Sequence, residues 1–460
     1  MNTLIYTACL GLFCMLAEIF NLRKWIIPTV VLGLAVIFSL NLNDWNHPSS
    51  HYNDMLRVDN FSVAFSGLAL LICTFLFMLS SDFYRSEENQ KHISDYMAIL
   101  VFVLCGALMM VSFGNLVMLF LGIETLSISL YVMAGSNRND LRSNEAGFKY
   151  FLLGAFTSGF LLFGIALIYG ASNSFNLQDI YTYVSSNGNN ISPLFIVGML
   201  LMIFAMLFKI SAAPFHFWAP DVYEGSPALV TAFMSTLVKI AAFAAFYRLI
   251  SNCFLFTLQK AELILTVSCI ATLFIGNLTA LVQDNFKRLL AFSGISHAGY
   301  MLLAIISLQS NTDSVLFYYA TGYALSSIAA FAVVIAVIGI TNSEKINSLN
   351  GLGKKNPILA TLLTMAMLSL AGIPPFAGFF GKYFIFSEAL RNGYSYLVLI
   401  AIINSIIGVY YYLKPVMAMY GGAANQDEIK LPISYSLVLW TCVILSLLLG
   451  IFPDLFVTLL

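Results

Sequence analysis

The chain alternates long apolar runs with short polar breaks, and each run is close to the roughly 20 residues that a helix needs to cross the hydrocarbon core of a bilayer. Counting the runs gives fourteen helices. Their approximate extents are 3 to 21, 25 to 42, 60 to 80, 95 to 111, 114 to 135, 145 to 171, 193 to 215, 227 to 248, 261 to 283, 288 to 308, 313 to 341, 357 to 391, 395 to 420 and 432 to 452. Nothing between them resembles a soluble domain. The longest breaks, 43 to 60, 81 to 95 and 171 to 192, carry Asn, Ser and Gly and have space for a hairpin or a surface helix. The expected class is an all-α polytopic membrane protein.

Composition agrees. Of 460 residues, 60% are hydrophobic and 9% charged, and the mean hydropathy is +0.88, whereas a soluble domain carries about 25% charged residues. A net charge of −1 implies no bulk attraction to nucleic acid or to anionic lipid. The seven cysteines stand singly within or at the ends of apolar runs, with no C-x-x-C pair, which points to packing and not to a metal or iron–sulfur site. The first run lacks a basic leader and a small-residue cleavage site, so it reads as a retained helix. Aromatic residues fit interface belts and packing.

Lysine and arginine are unevenly shared between alternate linkers. Odd-numbered linkers hold Arg23, Lys24, Arg85, Lys91, Arg138, Arg142, Lys287, Arg288, Lys345, Lys354, Lys355 and Lys430, while even-numbered ones hold Arg57, Arg248, Lys260 and Arg391. The odd linkers are therefore expected on the cytoplasmic side and both termini on the other.

Against this apolar background a few ionisable residues lie deep in the runs: Glu124, Lys149, Lys209, Lys239 and Lys382. A charge at bilayer depth costs roughly 2.5 to 3.5 kcal/mol on insertion scales, and such residues usually line an ion or proton path. Glu124 is about ten residues into its helix, too deep for a short carboxylate to reach water, and reads as a partner for Lys209; a fixed structural pair is the alternative. At ~4 Å and an effective dielectric of ~20 the two attract by about 4 kcal/mol. Driving one charge across ~150 to 200 mV costs about 3.5 to 4.6 kcal/mol. The magnitudes match, so a conformational change that breaks the pair can drive one proton step. Lysine suits such a relay because, unlike arginine, it gives up its proton readily on burial. Lys149 is nearer a helix end, where snorkelling is a serious alternative. His297, in S-G-I-S-H-A-G-Y-M, is a candidate shuttle or a packing residue; His216 is similar, and Lys414 reads as interfacial.

Two proline breaks resemble each other. L-F-K-I-S-A-A-P-F-H-F-W (Leu207 to Trp218) and L-A-G-I-P-P-F-A-G-F-F-G-K (Leu370 to Lys382) share a Pro-Phe pair after small residues. Pro214 in the first, and Pro374 and Pro375 in the second, free carbonyls in mid-membrane. The broken helices are five apart in the count, and an odd number of spans reverses direction, so helices four to eight and nine to thirteen are expected to form two inverted five-helix repeats, each containing a broken helix. Paired broken helices point to a transport site near the midplane. The implied segments are 1 to 94, three leading helices; 95 to 250 and 251 to 420, the repeats; and 421 to 460, a last helix. There is no P-loop, dinucleotide fingerprint, HExxH or haem-attachment motif, so redox and hydrolytic chemistry have no visible home.

P-F-H-F-W-A-P-D-V-Y-E-G-S-P (Pro214 to Pro227) and F-M-S-T-L-V-K-I-A-A-F (Phe233 to Phe243) resemble the antiporter-like membrane subunits of complex I, the proton-pumping NADH:quinone oxidoreductase. The D-V-Y-E-G wording is most similar to the subunit N branch. G-I-E-T-L-S-I-S-L-Y, the K-Y-F-L-L-G run from Lys149, S-H-A-G-Y-M and the run ending at Lys382 agree in order. The resemblance covers about helices four to thirteen. It implies proton-transfer roles for Glu124, Lys149, Lys209, Lys239, His297 and Lys382, in a translocase subunit with no cofactor or metal of its own; flavin, iron–sulfur clusters and quinone then belong to partner subunits. The implied partners are other antiporter-like and small helical subunits of the membrane arm. Val238 departs from many relatives just before Lys239 and leaves the local helix geometry open. The three leading helices favour a bacterial, inner-membrane member, or a plastid-type one, over animal mitochondrial forms that lack them, and make an organellar inner membrane the lesser expectation. An Mrp-type sodium/proton antiporter subunit and a structural spacer subunit are the competing classes; one deep glutamate against several lysines disfavours sodium.

Overall fold

The computed structural model describes residues 2–20, 22–83, 91–308, 311–421 and 431–457; Arg85 and Lys430 of the charge comparison lie outside them. Single turns aside, the helices are α1 (Asn2–Ile19), α2 (Ile26–Leu42), α3 (Asn60–Phe83), α4 (Ile93–Ser112), α5 (Leu116–Ala134), α6 (Leu141–Ser172), α7 (Leu177–Asn187), α8 (Pro193–Lys209), α9 (Trp218–Gly225), α10 (Ala228–Phe233), α11 (Lys239–Leu249), α12 (Leu258–Leu281), α13 (Phe286–Ile306), α14 (Thr312–Thr341), α15 (Pro357–Ala371), α16 (Ala377–Arg391), α17 (Ser395–Gly421) and α18 (Ile433–Ile451). Polar residues between the runs start several of them. Asn115, Asp140 and Asn176 accept a backbone N–H of the first turn of α5, α6 and α7, and Ser192 does so for α8 with Pro193 at its first position. Asn173 and Asn342, both at positive φ, end α6 and α14.

Among the described residues eleven helical runs are long and apolar enough to cross a bilayer, and α8 and α15 are shorter apolar helices. One of the eleven, Ala228–Leu281, has 54 residues, about 80 Å of straight helix against a core of ~30 Å. It joins α10, α11 and α12 through π turns at Met234–Val238 and Ile250–Phe254 and a 3-10 turn at Leu255–Thr257. The sequence placed a linker after residue 248. With no Gly or Pro between Leu249 and Thr257, the chain stays helical there. Arg248 is consequently no linker residue: it is 3% exposed and donates to the Asp59 carboxylate at 2.6 Å. Burial favours the neutral acid at Asp59, but Arg248 and Arg57 beside it hold the carboxyl below the usual range. Lys287 and Arg288 likewise belong to the first turn of α13.

Of the long breaks, 43 to 60 folds into a hairpin, Ser49–His51 against Leu56–Val58, and 171 to 192 holds the surface helix α7. Both breaks in the apolar helices are present. The first separates α8 from α9, with Ser211 at positive φ; Ala213 N–H donates to Thr272 Oγ1 at 2.8 Å and Trp218 Nε1 to the Phe208 carbonyl at 3.1 Å. The second separates α15 from α16, where Gly372 sits at φ +83°. In a bilayer such freed backbone groups survive only where protein or water covers them.

α13 is buried over its whole bilayer-length window, whereas the windows of α1 and α2 are 28% buried. It packs against α9 and α11 on one side and α12, α14, α16 and α17 on the other, so both broken helices meet it. Lipid supplies no hydrophobic drive between helices, and close approach depends on small residues. A Cβ on Gly106 of α4 would lie 2.5 Å from the Leu126 backbone N of α5, and one on Gly164 of α6 2.8 Å from the Gly198 carbonyl of α8. Gly106→Leu is expected to destabilise the α4–α5 contact by about 1 to 3 kcal/mol or more, read as a lower melting temperature and lower yield of assembled protein.

Candidate functional site

Three ammonium groups and an imidazole lie in the core. Lys209, Lys239, His297 and Lys382 are 6%, 2%, 3% and 6% exposed. Lys209 is the last residue of α8, at the break before Pro214. Its Nζ donates to the Ser127 hydroxyl of α5, and the Ser158 hydroxyl of α6 donates to Glu124. Glu124, three residues before Ser127, remains within electrostatic reach of Lys209. The expected partners are therefore neighbours, each held by a serine in place of the other.

Lys239 opens α11 directly after the π turn Met234–Val238, which resolves the local geometry left open by Val238. A π turn displaces backbone groups from the regular ladder. Here the Tyr323 hydroxyl donates to the Ser235 carbonyl at 2.9 Å, and Lys239 Nζ donates across to the Gly294 carbonyl of α13 at 2.5 Å. One turn further along α13, His297 contacts Tyr319 through Nδ1 at 2.7 Å and Tyr412 through Nε2 at 3.0 Å. Tyr412 also meets Ser293 at 2.5 Å, and Tyr411 joins Ser296 at 3.3 Å to Asn277 at 3.1 Å. Lys382 lies beyond: its Nζ donates to the Ala371 carbonyl at 2.8 Å, the Leu370 carbonyl at 3.4 Å and Ser405 at 3.0 Å, and sits 5.0 Å from the centre of the Tyr300 ring. The second break thus presents its bare carbonyls to a lysine. A Cβ on Gly372 would lie 2.9 Å from that lysine's Cδ, a second reason, beside its positive φ, for glycine there.

Lys149 differs from the others. Its side chain is 40% exposed and paired with Glu145 at 2.7 Å and Asp221 at 3.0 Å, so the helix-end reading holds in place of deep burial. Arg288 bridges Asp221 at 2.9 Å and Glu224 at 2.8 Å, and Asn285 donates to Glu224 and Glu344. Nearby Lys287, almost wholly buried, pairs with Glu344 at 2.5 Å and donates to the Ser226 carbonyl. Lys149, Asp221, Glu224 and Arg288 line an open cleft of about 270 Å³ with Arg142 and Glu145. Burial favours the neutral acid at Asp221, but Lys149 and Arg288 outweigh it and hold the carboxyl below its ordinary value.

Sequence reasoning did not single out the acids of the cleft or the hydroxyls around His297. Asp221 and Glu224, two acids three apart just past a proline break, are a signal of their own in the sequence. The tyrosines around His297 carried no signal, since aromatic residues are common throughout the chain. The residues with candidate roles at Lys209, Lys239, His297 and Lys382 converge on α13 and the two breaks; Glu124 and Lys149 sit toward the periphery. Among the described residues no group of three or more His, Cys, Asp or Glu could hold a metal ion.

Such a fold, with paired broken helices around buried lysines, defines an antiporter-like, ion-translocating membrane protein. The family model for the NADH:quinone oxidoreductase/Mrp antiporter transmembrane region matches residues 114–408. The chain is 50% identical, over 454 residues and 99% of both chains, to NADH-quinone oxidoreductase subunit N of Flavobacterium psychrophilum, and 44% identical, over 99% of this chain and 98% of the other, to that of Cytophaga hutchinsonii. It belongs to the NADH-quinone oxidoreductase subunit N family. A chain of respiratory complex I from Thermus thermophilus with bound aureothin has a TM-score of 0.85 at 33% identity, covering 99% of this chain and 98% of that one. A chain of the Mrp complex from a Dietzia species shares the fold, with a TM-score of 0.89 at 20% identity over 99% of this chain and 95% of that one.

A Cβ on Gly294 would lie 2.8 Å from Lys239 Nζ, so Gly294→Ala is expected to displace the ammonium and slow turnover of the assembled complex about tenfold or more, measured as quinone-linked proton uptake in vesicles. The lowered Asp221 carboxyl fixes a second outcome. The cleft's contribution to stability is present above the ordinary value of 3.8 and is lost as pH falls through the lower folded-state value. The melting-temperature gap between the natural protein and Asp221→Asn is then constant from about pH 8 to about pH 5 and closes only in stronger acid.

Proposed function

We propose that protons cross this chain along Lys209, Lys239, His297 and Lys382, with the Lys149–Asp221–Arg288 cleft as the cytoplasmic mouth and the Glu124–Lys209 pair as the gate. The chain is a proton-translocating membrane subunit of NADH-quinone oxidoreductase, a multi-pass protein of the bacterial inner membrane that works beside other membrane-arm subunits. The observation that carries the path is that three lysines and a histidine are all almost fully buried, with Lys239 bonded to α13 one turn from His297, and Lys209 and Lys382 standing at the two helix breaks.

The helix pattern is read as fourteen crossings: the 54-residue run supplies two, and each broken helix one. Residues 95–250 and 251–420 then form the inverted repeats, between leading helices in 1–94 and a closing helix in 421–460, with both termini on the periplasmic side. The chain contributes no redox step; flavin, iron–sulfur clusters and quinone are assigned to partner subunits, and the direct neighbours to other antiporter-like and small helical subunits.

A change transmitted through α5 and α6 moves Glu124 toward or away from Lys209, against the about 4 kcal/mol that such a pair is worth at ~4 Å and a dielectric of ~20. Loss of the carboxylate frees the Lys209 proton for Lys239. His297 suits the next step because either ring nitrogen can donate while the other accepts; Tyr319 on one side and Tyr412 on the other fit both tautomers. Lys382 then receives the proton beside the carbonyls of the second break. Sodium exchange is the weaker reading, since it needs clustered carboxylates or carbonyls around a cation and the carbonyls at the second break face an ammonium.

Lys209→Ala is expected to leave the complex assembled and to lower both quinone reduction and proton pumping about tenfold or more. Lys209→Arg does not restore them, because arginine keeps its proton. An assembled complex with both rates intact would make the chain a spacer.

A further inference from the structure

We infer that Glu388 is the outward-facing proton acceptor of this chain, taking the proton that leaves Lys382 and passing it to Asp313 and the outer water. The inference rests on the path above and extends it beyond its last lysine. Glu388 lies six residues after Lys382 on α16, about 9 Å further along the axis, toward the helix end that faces away from the Arg288 cleft. Gly381, Lys382, Ile385, Glu388 and Ala389 are the buried residues of that stretch, so both ionisable groups are on the protein side of the helix.

Glu388 is only 7% exposed. A carboxylate so placed is costly unless it has a task or a partner, and the Thr312 hydroxyl approaches it at a long 3.4 Å. The half-buried Asp313 and the exposed Arg391 lie within electrostatic reach, giving a graded route from core to surface. Tyr247 of α11 is in reach of Glu388 and Asp313 and also of Arg248 and Asp59, so the acid fronts a polar patch that joins the ends of α3, α11, α14 and α16. Phe384 and Phe386 occupy the intervening stretch of α16. The step balances simply: an N–H bond of the Lys382 ammonium breaks and an O–H bond forms on Glu388. That O–H then breaks and its proton goes to Asp313 or water. At this separation water carries the proton between the two side chains, and no other reactant is needed.

The test uses the whole complex in vesicles with an externally read pH indicator, comparing the natural protein with Glu388→Gln, Glu388→Asp and Lys382→Ala. Glu388→Gln keeps shape and hydrogen bonding but cannot take a proton, and is expected to cut proton pumping about tenfold or more. Glu388→Asp keeps a carboxyl and recovers most of the rate, with its dependence on outer pH shifted, which a structural role would not produce. Native pumping in assembled Glu388→Gln, with Lys382→Ala impaired, would overturn the role of Glu388 and leave the path standing. Native pumping in both would overturn the path first. If Glu388→Gln does not assemble, Glu388→Asp decides: an unshifted pH profile at the native rate would overturn the proposal.

Discussion

An ammonium group inside a bilayer must have acceptors, because the surrounding lipid offers none. That constraint organises the whole molecule. Each buried lysine is matched to an oxygen the rest of the fold sets free or holds out: Ser127 for Lys209, the Gly294 carbonyl for Lys239, and the carbonyls of Leu370 and Ala371 for Lys382. The helix irregularities, costly by themselves, stand where the charges are. Lys209 ends one broken helix, Lys239 follows a π turn, and Lys382 folds back onto the other break. For Lys382 the break itself supplies the carbonyls, whereas Lys209 and Lys239 find their acceptors on the neighbouring helices α5 and α13.

A lysine held by a serine hydroxyl or by one carbonyl is satisfied without being locked as a tight ion pair would lock it. The contrast with the open cleft is clear, where Asp221, Glu224, Arg288 and Lys149 form multiple short pairs. Paired carboxylates there fix a surface cleft. In the core, the hydroxyls of Tyr319 and Tyr412 meet the two ring nitrogens of His297, and each can serve as donor or acceptor.

Much of this was legible in the sequence, and for a simple reason: hydrocarbon makes every departure from apolar character conspicuous. Membrane class, the deep lysines, both breaks, the hairpin and the surface helix could be read because each was a polar or proline signal against an apolar background. The junction after residue 248 lies where α11 gives way to π and 3-10 turns, but Arg248 is no exposed linker charge, because Asp59, nearly two hundred residues away, buries it. The serines that hold Lys209 and Lys382 and the tyrosines that hold His297 were invisible, since their hydroxyls do not stand out from the apolar runs and their partners come from distant helices. The separate serine partners of Glu124 and Lys209, Ser158 and Ser127, were equally beyond reach, because sequence does not say which neighbouring hydroxyl each group takes.

The central claim is that these side chains form one continuous proton-conducting line. An experimental density map of the membrane arm at a resolution that places ordered water tests it most directly. The account predicts waters that link Lys209 to Lys239, His297 and Lys382 by steps of hydrogen-bond length. Dry apolar packing between any two of them, with no alternative side-chain position that closes the gap, would contradict it.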